Sequence, residues 1–261
     1  MTAATARPRP RVVVLDYGSG NLRSAERALQ RAGAEVTVTA AAGPALSCDG
    51  LVVPGVGAFA ACMAGLRAIG GAEIIGKRLA VGRPVLGICV GMQVLFTAGV
   101  EHGERAPGCG ELPGVVERLA APVLPHMGWN TVRPPAGTRL LAGIGPGTRF
   151  YFVHSYAVRP PLGSGPLPGA GLPGAGPQPA AGLPGAGLPG AGLPGAGRPG
   201  AGLVPEGGSG GQPGPLLTLA THGQDFIAAV EAGPLSATQF HPEKSADAGA
   251  ALLANWLETI R

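Results

Sequence analysis

No stretch of this 261-residue chain is both apolar enough and long enough to cross a bilayer. The uncharged segment from Gly50 to Leu66 is interrupted by Pro54 and several glycines, and it falls short of the roughly 20 residues a membrane helix requires. The apolar run after the basic N-terminus, Val12 to Leu15, stops at Asp16, too short for a secretory h-region, so the chain is not expected to be exported. Cysteine is sparse. Cys48, Cys62, Cys89 and Cys109 show no paired metal-ligand spacing, and the length far exceeds that of a disulfide-stapled module, which predicts a reducing cytoplasm and no metal. The net charge of +4 is modest, and no Lys/Arg cluster is interleaved with aromatics, which argues against nucleic acid as a partner.

Glycine and proline, by contrast, are concentrated. Residues 160–215 hold 14 of the 28 prolines and 20 of the 47 glycines, with only Arg198 and Glu206 charged, so little there can form a core. Leu-Pro-Gly-Ala-Gly recurs from Leu167, Leu172, Leu183, Leu188 and Leu193, with a variant from Arg198. Its period of five excludes a collagen helix. The segment 161–214 reads as a solvated, disordered insertion at a hairpin tip, a place where loop-closure entropy rises by only about 0.6 kcal/mol per doubling of length. Residues 1–160 and 215–261, about 205 in all, are enough for one α/β domain.

Arg11 to Leu15, Glu35 to Thr39 and Gly50 to Val53 read as strands. Between the first two lies a helix with Leu22, Ala25, Leu29 and Ala32 on one face, ended by Gly33. Helices over about 58–68 and 72–81 lead to a further strand at Pro84 to Ile88. This alternation predicts an open, mostly parallel twisted sheet with helices on both faces, whose reactive groups gather at the carboxyl ends of the strands. After Val115 come short strands at 115–119, 130–133, 150–158, 216–221, 226–231 and 237–240, predicting an antiparallel or mixed extension of that sheet. Asp247 to Ile260 closes the chain as an amphipathic helix.

Gly87-Ile88-Cys89-Val90-Gly91 follows the last parallel strand, and small residues two positions to either side of a nucleophile permit a sharp strand-to-helix turn that exposes its side chain. Met92 to Phe96 carries helix-compatible spacing, which would put Cys89 at a helix N-terminus, where thiolate is favoured. Far downstream, His241-Pro242-Glu243 supplies a base and an orienting carboxylate. Pro242 is expected to hold the tripeptide extended, with both side chains pointing the same way. Oxyanion donors are expected from the Val90 N–H and from the glycine-rich turn at Pro54-Gly55-Val56-Gly57.

These motifs resemble those of the class I, triad-type glutamine amidotransferases, whose fold is flavodoxin-like. Asp16-Tyr-Gly-Ser-Gly-Asn-Leu-Arg-Ser, Pro125-His-Met-Gly-Trp-Asn, Tyr151-Phe-Val-His-Ser-Tyr and Thr238-Gln-Phe-His-Pro-Glu-Lys-Ser are similar, more narrowly, to the glutaminase subunits of imidazole glycerol phosphate synthases of histidine biosynthesis. The resemblance implies that Cys89 forms a glutamyl thioester from L-glutamine and that Gln93, Gly57, Ser155 and Tyr156 bind that substrate. It further implies no cofactor, and a heterodimer in which Tyr151 and Lys244 meet a cyclase subunit with a (β/α)8 barrel that takes the ammonia. A glutaminase of another pathway, such as pyridoxal phosphate synthesis, and a catalytically silent scaffold are the alternatives. Such families usually have a short hairpin where the repeat lies. Cys48, Cys62 and Cys109 match no reactive position, and His126 and His154 are candidates to line the site or the interface.

Overall fold

The computed structural model describes residues 8–160 and 214–260; all of the repeat lies outside them. Thirteen strands and six helices follow in chain order among these residues: β1 Arg11–Leu15, α1 Leu22–Arg31, β2 Glu35–Thr39, α2 Ala42–Ser47, β3 Gly50–Gly55, α3 Phe59–Ala68, α4 Gly71–Ala80, β4 Val85–Cys89 and α5 Val90–Gln93. Then come β5 Phe96–Glu101, β6 Glu104–Pro107, β7 Leu112–Arg118, β8 His126–Thr131, β9 Arg149–His154, β10 Tyr156–Val158, β11 Leu216–His222, β12 Gln224–Ala232, β13 Leu235–Thr238 and α6 Ala246–Glu258.

Seven strands form the central sheet in the order β11-β12-β13-β4-β3-β1-β2. β2, β1, β3, β4 and β13 run parallel, while β12 and β11 add on antiparallel. β3 and β4 are buried at every residue, as strands covered on both faces must be, and this is why they read as unbroken apolar runs. From β1 the chain steps outward to β2 and then back past β1 to β3 and β4. Right-handed crossovers therefore put α1 on one face and α2 to α4 on the other. α6 packs beside α1, burying Leu252, Leu253, Trp256 and Leu257. The Trp256 ring lies so close over Gly50 that a Cβ there would stand 2.7 Å from it. The fold class expected from the sequence is thus the one observed.

Four local expectations are corrected. The strands after Val115 do not all extend the main sheet. β10-β7-β5-β6 make a separate four-stranded sheet and β8-β9 a two-stranded one. The expected single strand over 150–158 breaks at Ser155, so that β9 pairs with β8 while β10 turns to β7. Helix after Cys89 ends at Gln93 rather than continuing to Phe96, because the Val94 and Phe96 carbonyls accept from Cys109 and Gly110 N–H and draw the chain into β5. Finally, His241-Pro-Glu is not an extended run: Pro242–Lys244 is one 3-10 turn, a place proline suits because the missing N–H has no acceptor there.

Candidate active site

Cys89 ends β4 beside Gly55 of β3, at the carboxyl edge of the parallel strands. Its backbone stands at φ 57° and ψ −114°, a region a side-chain-bearing residue occupies at a cost of order 1–3 kcal/mol. The flanking glycines make the turn possible by close approach rather than by unusual dihedrals of their own. A Cβ on Gly91 would lie 1.8 Å from the Val53 carbonyl oxygen, and one on Gly87 2.7 Å from that of Gly91. Gly55 is confined too: a Cβ there would lie 2.5 Å from Gly91 N. Residue 90 begins α5, so its N–H has no intrahelical acceptor and remains available to a developing oxyanion. With four residues, α5 supplies only a small dipole to Cys89.

His241 follows β13, the strand paired with β4. Its N–H donates to the Tyr151 carbonyl at 2.9 Å, and its carbonyl accepts from Ser245 Oγ at 2.6 Å. The ring is 2 % exposed, and Nδ1 donates to Glu243 Oε1 at 2.7 Å. Nε2 is left buried without a hydrogen-bond partner among the described residues. Burial alone pulls the imidazole pKa down, but the Cys89 sulfur and the Glu243 carboxylate outweigh it and raise the value to about 9. Cys89 and His241 thus stand close enough to interact electrostatically without a regular hydrogen bond between them. Cys89 Sγ also lies 3.8 Å from Gln239 Nε2 and 4.0 Å from the Val153 carbonyl.

These side chains open on a cavity of about 200 Å³ whose wall includes Val56, Gly57, Cys89, Val90, Gln93, Ser155, Tyr156, His241 and Lys244. Among the residues singled out from sequence, Glu243 stands behind His241 instead, and Tyr151 lies outside the wall with Lys244 Nζ 5.9 Å from its ring centre. Gln93 Nε2 is committed to the Tyr156 carbonyl at 2.9 Å and to Gln239 Oε1 at 3.0 Å, so the amide braces the wall. Val56 departs from expectation: its N–H donates to Ser19 Oγ at 3.1 Å, and its carbonyl accepts from Ser19 Oγ at 2.7 Å and from Cys62 Sγ at 3.3 Å. In this arrangement it offers no second oxyanion donor.

Sequence reading missed Glu101, the one acidic side chain on the cavity wall among the described residues, because nothing in its strand marks it out. It also missed Gln239. Met127 and Trp129 alternate outward along β8 at 62 % and 51 % exposure, with Trp129 edge-on to Tyr151, and form an apolar ridge beside Lys244. A larger groove of about 750 Å³, lined by Arg9, Arg11, Glu35 and Asp49, lies at the amino ends of β1 to β3, away from Cys89. Among the described residues no cluster of His, Cys, Asp or Glu is disposed to hold a metal, and no single helix is long and apolar enough to cross a membrane.

The family model "Glutamine amidotransferase class-I" matches residues 13–167. The chain is also 57 % identical, over 97 % of its length and 99 % of the relative's, to the imidazole glycerol phosphate synthase subunit HisH of Nocardia farcinica. It belongs to the class I glutamine amidotransferases, and among them to the HisH family. The HisH of Thermobifida fusca is 55 % identical over 97 % of this chain and all of that one. The solved structure of PurLQS from Thermotoga maritima, 15 % identical, superposes with a TM-score of 0.58 over 97 % of this chain and all of that one, a likeness of fold.

Proposed function

We propose that this protein is the glutaminase subunit of imidazole glycerol phosphate synthase in histidine biosynthesis, a cytoplasmic enzyme that releases ammonia from glutamine. One observation carries the chemistry: Cys89, strained at the end of β4, faces a buried His241 whose other nitrogen is held by Glu243. A raised imidazole pKa lets the Cys89 proton rest on the ring, so that sulfur attacks the carboxamide carbon as thiolate. Val90 N–H receives the oxyanion, and His241 hands its proton to the departing nitrogen, which leaves as ammonia. Water, deprotonated by the same ring, then attacks the thioester; glutamate leaves and the thiol is restored.

The substrate's α-ammonium finds Glu101, whose Oε2 already accepts from the Phe59 N–H at 3.0 Å, and its other polar groups meet the backbone at Gly57, Ser155 and Tyr156. A second oxyanion donor from the turn at 56–57 requires Val56 N–H to leave Ser19. The ridge of Trp129 and Met127, with Tyr151 and Lys244, fits the face that meets a (β/α)8 cyclase subunit.

The test is a glutaminase assay with and without the cyclase subunit and its ligand. Weak activity alone and strong stimulation in the complex are expected; equal rates would contradict the assignment. Cys89→Ala should abolish glutamine hydrolysis while ammonia-dependent synthesis by the complex persists, and loss of both would make the residue structural.

A further inference from the structure

Two buried histidines that the reaction above leaves unused form a hydrogen-bond chain with a fixed direction. His126 and His154 stand opposite each other on β8 and β9, at 5 % and 7 % exposure. His154 Nδ1 lies 2.9 Å from the Tyr156 carbonyl oxygen. A carbonyl only accepts, so Nδ1 carries the proton and Nε2 of the neutral ring is an acceptor. His126 Nδ1, 3.0 Å from that Nε2, therefore donates, which leaves His126 Nε2 to accept from the Asn130 amide at 3.1 Å. The second amide hydrogen of Asn130 goes to the Thr221 carbonyl at 2.9 Å, and Asn130 Oδ1 accepts from Thr131 N–H at 2.8 Å. Every ring nitrogen is matched. Burial keeps both rings uncharged, pushing the pKa of His154 down to about 3 and that of His126, with His222 stacked on it, down to about 4.

The chain ends at the break between β9 and β10. Its last acceptor, the Tyr156 carbonyl, is the one that also fixes Gln93, and Gln93 in turn holds Gln239 against Cys89. His154, Tyr156 and Gln93 all line the cavity. A pair of rings kept only for packing would not require six polar atoms matched in one direction, since apolar rings fill such space without the desolvation cost.

We propose that His126 and His154 are positioning residues for the glutaminase: their one-way hydrogen-bond chain fixes the Ser155–Tyr156 backbone and so holds the wall that binds glutamine in register with Cys89. The proposal deepens the glutaminase reading and rests on it.

The test uses the full chain in complex with its cyclase subunit. His154→Leu deletes both ring nitrogens, whereas His154→Asn can place an amide N–H where Nδ1–H lies and restore the bond to Tyr156. The leucine variant should raise KM for glutamine at least tenfold while kcat falls less than threefold, and asparagine should recover most of the loss; ammonia-dependent synthesis should be unchanged in both. A second measurement is independent of activity. Long-range 1H–15N spectra of histidine-labelled wild type at pH 7 should show His126 and His154 both protonated at Nδ1. An Nε2–H form at either ring, an unchanged KM in the leucine variant, or an asparagine variant as impaired as leucine would overturn the proposal. A wild-type complex that hydrolyses no glutamine would instead sink the glutaminase reading, and the tautomer spectra would still decide the chain.

Discussion

Replacing Gly91 by alanine should damage stability and catalysis together, because of where the added methyl must go. Its Cβ would lie 1.8 Å from the Val53 carbonyl oxygen, 2.8 Å from the Val53 carbonyl carbon and 3.1 Å from that of Pro54. All three are backbone atoms of β3, which is locked between β1 and β4, so no side chain can swing aside. To regain ordinary contact the oxygen and the methyl must part by about 1.6 Å, and the short helix α5 is the piece free to move. Overpacking of this kind usually costs 1–3 kcal/mol, and a clash borne wholly by backbone belongs at or above the top of that range. Cys89 lies two residues away, and a shift of about 1 Å at a nucleophile is worth on the order of a hundredfold in rate. Gly76→Ala is the control. It sits within α4, meets only the Glu111 carboxylate at 3.1 Å, and should stabilise by roughly 0.5–1 kcal/mol through helix propensity. Urea midpoints and glutaminase kcat/KM, measured with the cyclase subunit, read both effects. A Gly91→Ala protein within about 0.5 kcal/mol of wild type and with full activity would refute the close-approach argument.

Stability should be greatest near neutral pH. His154, with a folded pKa of about 3 against 6.5 unfolded, contributes stability that is present above pH 6.5 and lost as pH falls toward 3, at up to about 1.4 kcal/mol per pH unit; His126 acts in the same direction. His241, at about 9, contributes stability that is complete below pH 6.5 and lost as pH rises through 9. Denaturant midpoints from pH 5 to 9 should trace this dome, and His154→Leu should flatten its acid side; acid limbs of equal slope would contradict the assignment. Arg78→Met should cost at least about 3 kcal/mol, since the fully buried guanidinium serves the carbonyls of Ala45, Cys48 and Pro84 at 2.9–3.0 Å and each loses a donor. A loss under 1 kcal/mol in guanidinium denaturation would show that water replaces the side chain there.

The sequence disclosed elements wherever local chemistry and tertiary environment agree. β1 and β2 were legible to the residue because valine-rich runs end at Asp16 and begin just after Gly33. The Cys89 elbow was legible because its two flanking glycines have no other use at that spacing. What could not be read depends on partners far along the chain. β5 starts at Phe96, inside a pattern equally good for helix, because Cys109 and Gly110 bond to the chain at Val94 and Phe96. The break at Ser155 follows from a change of partner, β8 before it and β7 after it, which no local composition reports. Pro242 fixes its own φ, a value shared by extended chain and the first residue of a 3-10 turn, so the tripeptide could be placed but not its shape. Glu101 reaches the cavity only because the second sheet folds under α3.

How the proposed nucleophile and base, 152 positions apart, come together follows from sheet order. β13 lies parallel to β4, with Thr238 opposite Ile88, so the next residue of each chain, Gln239 and Cys89, comes at the same level. Gln239 therefore emerges beside Cys89, and the chain needs only Phe240, buried against Phe150 and Phe152, before His241 turns back over the sulfur. The 3-10 turn then brings Glu243 onto the far side of the ring, closer than an extended tripeptide would allow. Strain at Cys89 persists because β3 and β13 clamp β4 from both sides while Gly91 rests on Val53. The energy that holds the elbow is thus spread over the ladder hydrogen bonds of three strands. Substituting Gly91 should move Cys89, whereas trimming any one cavity-wall side chain other than Cys89 and His241 should change binding and leave the elbow in place.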